Sequence, residues 1–578
     1  MLQRAILAVA FFVPASVFAA GANVYIQHNL VSDVAGQADV TDPNLLDPWG
    51  VSFSATSPFW VSNKNKGNST LYNGSGTITP LVVTVPAADP SKQGTPTGQV
   101  NCTTTGAFVL ANGTRASFIF STVDGTISGW NAGAIAEIKV DNSAKGAVYY
   151  GLAIGTNAAG ALQLYAPNFT SGQIEVYDSK FAPATSSGGF TDPNLPSGYG
   201  PFNIWPVAGK LYVAYAKSGS GLGGVFGNGG YVDIFDFDGN LQKRLVSNGL
   251  LNAPWGVALA PSTFGAFAGA VLVGNFGDGK INAFDANTGA ALGTLQDPSG
   301  NPIVLPGLWA LVFGNGASGG DKNILYFSAG PGAGQHGLFG SIAPPAAILS
   351  VVNGASQLPG PIAPGEVVVL SGITIGPSPT STGVIPASGS VSTALAGASV
   401  TFNGAAAPIL YASASQTSVL APYGLGGFSS ANVAVTYGGQ TATLQVPVAL
   451  SAPGVFTLDF SGAGQAVALN ADGTLNGSSN PASAGSVITL FATGQGPENP
   501  PGEDGVVNDR ILRTPQLAVS LTIGGQSAKV LYAGSGLGIV QAILQVQAIV
   551  PSGVTGTAPV VLTVGSASSQ PKVTISVK

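Results

Sequence analysis

Between residues 46 and 342, apolar and polar positions alternate in short runs broken by Gly, Asn and Asp, and the runs fall into six repeats. In each repeat an apolar strand ends in a short polar turn. A second strand then closes on an aromatic or apolar pair followed by Asp, Asn or Gly. The closing signals are Leu71-Tyr72-Asn73, Gly129-Trp130-Asn131, Val176-Tyr177-Asp178, Ile234-Phe235-Asp236, Ala283-Phe284-Asp285 and Leu338-Phe339-Gly340. They recur about every 50 residues, a period typical of repeat architectures. Alternation with period two is strand patterning. Several strands per unit with no helical stretch predict an all-β fold, here a six-bladed β-propeller over residues 23–342.

The inner strands of the blades are expected at Pro48-Trp49-Gly50-Val51, Ala107–Leu110, Gly151–Ile154, Pro201-Phe202-Asn203-Ile204, Pro254-Trp255-Gly256-Val257 and Gly307–Leu311. Most blades continue past their closing signal into a fourth, outer strand. The sixth instead runs into Ala343-Pro344-Pro345, where proline stops sheet pairing. Ile26-Gln27-His28-Asn29-Leu30-Val31-Ser32-Asp33 matches Leu241-Gln242-Lys243-Arg244-Leu245-Val246-Ser247-Asn248, the outer strand of the fourth blade. The N-terminal strand is therefore predicted to pair antiparallel with residues 336–342 and close the ring, removing an open edge.

Beyond Pro345 the pattern changes to a repeat of roughly 120 residues with short strands and turns every 8–12 residues. Gly365–Leu370 matches Gly485–Leu490, and Ile409-Leu410-Tyr411-Ala412 matches Val530-Leu531-Tyr532-Ala533. Two immunoglobulin-like β-sandwich domains without the usual disulfide are expected, at 343–456 and 457–578.

Composition narrows the picture. Only 8% of residues are charged and 83 are glycine, yet after the N-terminus no apolar run approaches the roughly 20 residues that span a bilayer. A net charge of −6 supplies no basic stripe, which excludes nucleic acid as a partner. Residues 1–22 read as a signal peptide: Arg4, the apolar stretch Ala5–Val13, then small residues at Val17-Phe18-Ala19. A secreted protein, extracellular or periplasmic, is expected. Cys102 is the single cysteine, so no intramolecular disulfide can form.

Residues 23–342 resemble an uncharacterised family of secreted bacterial propellers. The resemblance rests on Asn29–Asp33, Asp47-Pro48-Trp49-Gly50, Asp124–Asn131, Pro201–Ile204 and His336–Ile342. The blade grammar is also similar to NHL repeats. Residues 346–578 resemble the Ig-like C-terminal module of secreted proteins from Solibacter-type bacteria. These resemblances imply architecture and carry no activity with them.

In propellers, ligands usually bind at the channel mouth where the inner strands begin. The repeat phase places Trp49, Phe202, Trp255 and Trp309 there, with Asn63, Asn168 and Asn275 at the ends of second strands. Thr-Asp-Pro-Asn-Leu occurs at 41–45 and again at 191–195, so Asp42 and Asp192 are expected on opposing loops. An aromatic-lined site of this kind suits a glycan, a small molecule or another extracellular protein. Asp and Asn oxygens offer a weak Ca²⁺ site, and otherwise no cofactor is implied. The competing reading is that the aromatics wedge between blades and the polar residues tie turns.

His28 and His336, the two histidines, lack the further ligands a zinc site needs. Gly316–Gly320 fits G-x-S-x-G and both Gly219–Gly224 and Gly332–Gly337 fit G-x-G-x-x-G, but none lies in the strand–helix context those motifs require. The acidic loop Glu498–Gly505, with Asp509, reads as solvated. No catalytic residue and no metal ligand set stands out. The expected function is a secreted binding or surface-interaction protein with the Ig-like modules as spacer or adhesive stalk. The alternative is a propeller hydrolase or lyase with a metal-assisted site at the mouth.

Overall fold

The computed structural model describes residues 23–218, 229–508 and 511–578, and the protein is all-β with three short 3₁₀ turns among them. The signal-peptide segment, the Gly219–Gly224 motif and Asp509 lie outside the described residues. The described residues form two compact units, one ending at Pro344 and the other running from Pro345 to Lys578.

The first unit has a propeller arrangement. Among the described residues six sheets follow one another along the chain, antiparallel except for the parallel pair of Ile26–Ser32 with Val40–Thr41 at the outer edge of the last. The first strands are Pro48–Ser52, Pro96–Asn101, Ala153–Thr156, Tyr199–Val207, Pro254–Leu259 and Leu308–Phe313. Each touches the next, and the last touches the first, so they enclose a common axis. Burial follows from this geometry. The second strand Phe59–Asn63 is buried at all five positions because its sheet is covered on both faces. The outer strand Ile78–Thr84 alternates between exposed and covered positions. Neighbouring first strands cross so closely that a Cβ on Gly50 would lie 2.3 Å from the Thr97 carbonyl oxygen, and one on Gly256 2.5 Å from that of Trp309. Glycine follows the aromatic at both places because no side chain fits there.

The ring closes as the N-terminal pattern predicts. Ile26–Ser32 pairs antiparallel with Leu338–Ala343, running from Ile26 opposite Ala343 to Ser32 opposite Leu338. The second sheet corrects the sequence reading: its first strand is Pro96–Asn101, and Ala107–Leu110 belongs to an excursion between the first two strands. Phe108 there has φ +50°, outside strand geometry. The true strand escaped notice because Thr97 replaces the aromatic that marks its counterparts.

The second unit holds two apolar cores, one centred on Val368, Leu370 and Val433, the other on Leu490, Val546 and Leu562. A third cluster joins the two halves, with Val367, Leu410 and Leu420 against Phe456, Phe491 and Ile539. Strand Gly389–Ser390 also pairs with Val506–Val507. The acidic loop is solvated as expected, with Asn499–Pro501, Glu503 and Asp504 exposed, and it is also tied to its neighbours. Arg513 binds Glu503, Asp504 accepts the Tyr423 N–H at 2.7 Å, and Tyr423 donates its hydroxyl to the Gln541 carbonyl at 3.0 Å.

Candidate functional site

The repeat phase does bring the four aromatics together, but not as an open ring. Trp49, Phe202, Trp255 and Trp309 are between 0 and 4% exposed. Trp49 stacks on Trp309 with centroids 3.4 Å apart, Trp255 stands edge-on to Trp309 at 5.7 Å, and Phe202 does so at 6.0 Å. A fifth ring, Tyr150, packs on Trp49 at 5.4 Å and on Phe202 at 5.4 Å. The expectation of rings exposed at a mouth is thereby corrected: the rings stopper the channel. The physical reason is that side chains opening six converging strands point at one axis, and burying them removes a large apolar area from water. Tyr150 went unnoticed because its strand lacks the preceding proline, although Tyr150-Gly151 repeats the aromatic–glycine step of Trp49-Gly50.

The polar candidates tie the turns around this stopper. Asn63 donates to Asn68 and Thr70, both at 2.9 Å. Asn168 donates to Glu175 at 2.8 Å, and Asn275 to the Leu250 carbonyl at 2.8 Å. Asp42 and Asp192 make the same local turn, accepting the N–H of Asn44 at 2.9 Å and of Asn194 at 2.8 Å. This explains the repeated pentapeptide. Their remaining oxygens have separate partners: the Tyr72 hydroxyl for Asp42 at 2.8 Å, and Arg244 for Asp192. Arg244 also binds Asp233 at 3.1 Å. Burial pushes the Asp233 carboxyl up to about 7, with Arg244 pulling it down and Asp192 raising it further.

Asp47 was not among the sequence candidates. It is buried at φ +48°, accepts the Trp309 indole N–H at 3.2 Å and pairs with Lys64 at 2.8 Å. Its counterpart Ala253 holds φ +49° before Pro254-Trp255, so the backbone does not require a carboxylate here. The histidines do not meet: His28 lies 2.8 Å from Asp39 and His336 2.9 Å from Asp33. Among the described residues no group of three or more His, Cys, Asp or Glu is placed to hold a metal ion.

Among the described residues the channel opens at its other end. Each first strand runs from the aromatic stopper to a cup of about 470 Å³. Its wall is made by the strand ends Val51–Phe53, Gln99–Asn101, Leu152 and Ile154, Trp205–Ala208, Val257–Leu259 and Leu311–Phe313. No ionisable side chain lines it. Trp205 stands edge-on to Trp255 at 6.0 Å, linking stopper to cup. Three neutral polar atoms of wall residues, Ser52 Oγ, Gln99 Oε1 and Trp205 Nε1, are buried behind its surface without a hydrogen-bond partner. Gln99 is otherwise anchored, donating to the carbonyls of Gly50 and Trp60, each at 2.6 Å.

No family model matches the chain. Among curated proteins, uncharacterized protein R648 of Acanthamoeba polyphaga mimivirus is 33% identical over 331 residues, covering 54% of this chain and 78% of that protein. Uncharacterized protein L690 of the same virus is 32% identical over 320 residues, covering 52% and 81%. The chain belongs to the same family as R648 and L690. This corrects the expected membership of a bacterial propeller family with a Solibacter-type module, since these relatives are viral. Solved structures it resembles include a glucose dehydrogenase at 13% identity and TM-score 0.34, covering 55% of this chain and 99% of that one. A streptogramin B lyase follows at 11% and 0.32, covering 55% and 96%.

Proposed function

We propose that this protein is a secreted binding protein whose ligand site is the apolar cup. In this reading the six sheets are the blades of a six-bladed propeller, residues 343–456 and 457–578 are Ig-like sandwiches serving as spacer or stalk, and residues 1–22 direct export. The observation that carries it is the form of the channel. Aromatics seal one end, and the other is a concave apolar wall with a few neutral polar groups, the usual make-up of a small-molecule site. Its volume lies within the roughly 300–1,000 Å³ typical of such sites. With no charge in the wall, the ligand is neutral and largely apolar. Binding is favoured over metal-assisted hydrolysis or lysis because Asp42, Asp47 and Asp192 at the sealed end are each tied into protein partners. Acid–base catalysis needs such groups within reach of a substrate.

The neutral fluorophore N-phenyl-1-naphthylamine is the probe. Its emission should rise on the full chain, and Leu259→Arg, at a rim position 38% exposed, should weaken binding without changing the melting temperature. Unchanged binding in Leu259→Arg and Ile154→Arg removes the cup from consideration. Intact-mass measurement of exported protein tests the leader: loss of about 20 residues is expected, and retention of Met1 refutes it.

A further inference from the structure

We infer that the C-terminal unit carries a second binding site, for a neutral oligosaccharide. A cleft of about 640 Å³ lies where the end of strand Ala347–Asn353 meets the segments 449–453 and 565–571. No ionisable side chain lines it, so its ligand is uncharged. Ser356 and Ser569 stand in its wall, 8% and 7% exposed. Ser356 Oγ accepts the Leu358 N–H at 3.3 Å and Ser569 Oγ accepts the Leu562 N–H at 3.0 Å. Each hydroxyl is thereby fixed as an acceptor and keeps its own proton for an acceptor brought by a ligand.

The apolar part of the cleft is as informative. Leu358 and Leu450 stand 50% and 62% exposed at its edge, ready for the C–H face of a sugar ring. Pro359, Pro361, Pro453 and Pro571 also line it and have no N–H to offer. The nearby N–H groups of Ala449 and Ala452 are already donated to the carbonyls of Ile362 and Gly494. A peptide that adds as a strand needs an unbroken row of free backbone donors and acceptors, and the four prolines with the two committed N–H groups interrupt such a row here. A polyol brings its own: its hydroxyls donate to wall carbonyls and accept from Ser356 and Ser569.

The test uses the full chain and a panel of maltohexaose, cellohexaose, chitohexaose and mannohexaose in isothermal titration calorimetry. Gly360 lines the cleft, and a Cβ there meets nothing within 4 Å. Gly360→Trp therefore fills the cleft without a clash, and Leu450→Lys alters its edge at an exposed position should the first variant fold poorly. Binding of one sugar, weakened roughly tenfold or more in either variant at unchanged melting, is the expected result. Absence of binding at millimolar sugar, or binding indifferent to both variants, overturns the site. Capture of a leucine- and proline-rich peptide in place of any sugar overturns the ligand class. Leu259→Arg in the propeller cup should leave sugar binding intact, which separates this site from the cup.

Discussion

Glu366 should make the C-terminal unit lose stability as pH rises, and Glu366→Gln should abolish that loss. The side chain is wholly buried. Its Oε2 accepts the Ala363 N–H at 2.6 Å, while Oε1 has no hydrogen-bond partner. Burial raises its pKa from 4.5 to about 8, with the Ala363 N–H pulling the other way. The folded state thus holds the proton more tightly than the unfolded chain. Stability is highest below the unfolded pKa, falls as pH rises from about 4.5 to about 8, and is level above that. At about 1.4 kcal/mol per pH unit, the loss is about 3 kcal/mol at pH 7 and approaches about 5 kcal/mol above pH 8. Glutamine keeps an acceptor for Ala363 and cannot ionise. The variant should match the parent near pH 4 and exceed it by about 3 kcal/mol at pH 7.

Urea titrations of the full chain at several pH values measure this. All six tryptophans lie between Trp49 and Trp309, so indole emission reports the propeller, and far-ultraviolet circular dichroism reports both units. The effect belongs to the dichroism transition that has no counterpart in emission. Equal slopes of stability against pH in the two proteins would refute a neutral Glu366.

Three further outcomes follow from the propeller. Trp255→Ala should cost about 3–5 kcal/mol in the emission-detected transition, as for other truncated core aromatics; a cost within experimental error would mean that the stopper is not packed as described. His28→Pro puts a proline inside the closing strand opposite Ser341 and should lower the propeller's melting temperature while the other transition stays put; an unchanged propeller would show that closure by the N-terminal strand contributes nothing. Asp233→Asn should flatten the propeller's decline in stability between about pH 4 and pH 7, because the raised carboxyl pKa makes ionisation unfavourable in the folded state. A parent protein whose propeller stability rises across that window would reverse the sign and refute the assignment.

Local pattern determined a good part of this protein. Period-two alternation and the repeat of about 50 residues encode the sheets, because burial of alternate side chains is decided strand by strand. The match of Ile26–Asp33 to Leu241–Asn248 encoded ring closure, since an outer strand carries its own exposed–covered pattern wherever it sits in the chain. What lies along the axis was decided by tertiary structure alone. Repeat phase put Trp49, Phe202, Trp255 and Trp309 at equivalent positions, but whether such rings line a mouth or fill it depends on how closely six strands converge. The 3.4 Å stack of Trp49 on Trp309 exists only once residues 260 positions apart along the chain meet. The cup was illegible for the same reason. Val51, Gln99, Ile154, Trp205, Leu259 and Phe313 share no motif, and they become one wall only because six strands end at the same height around one axis.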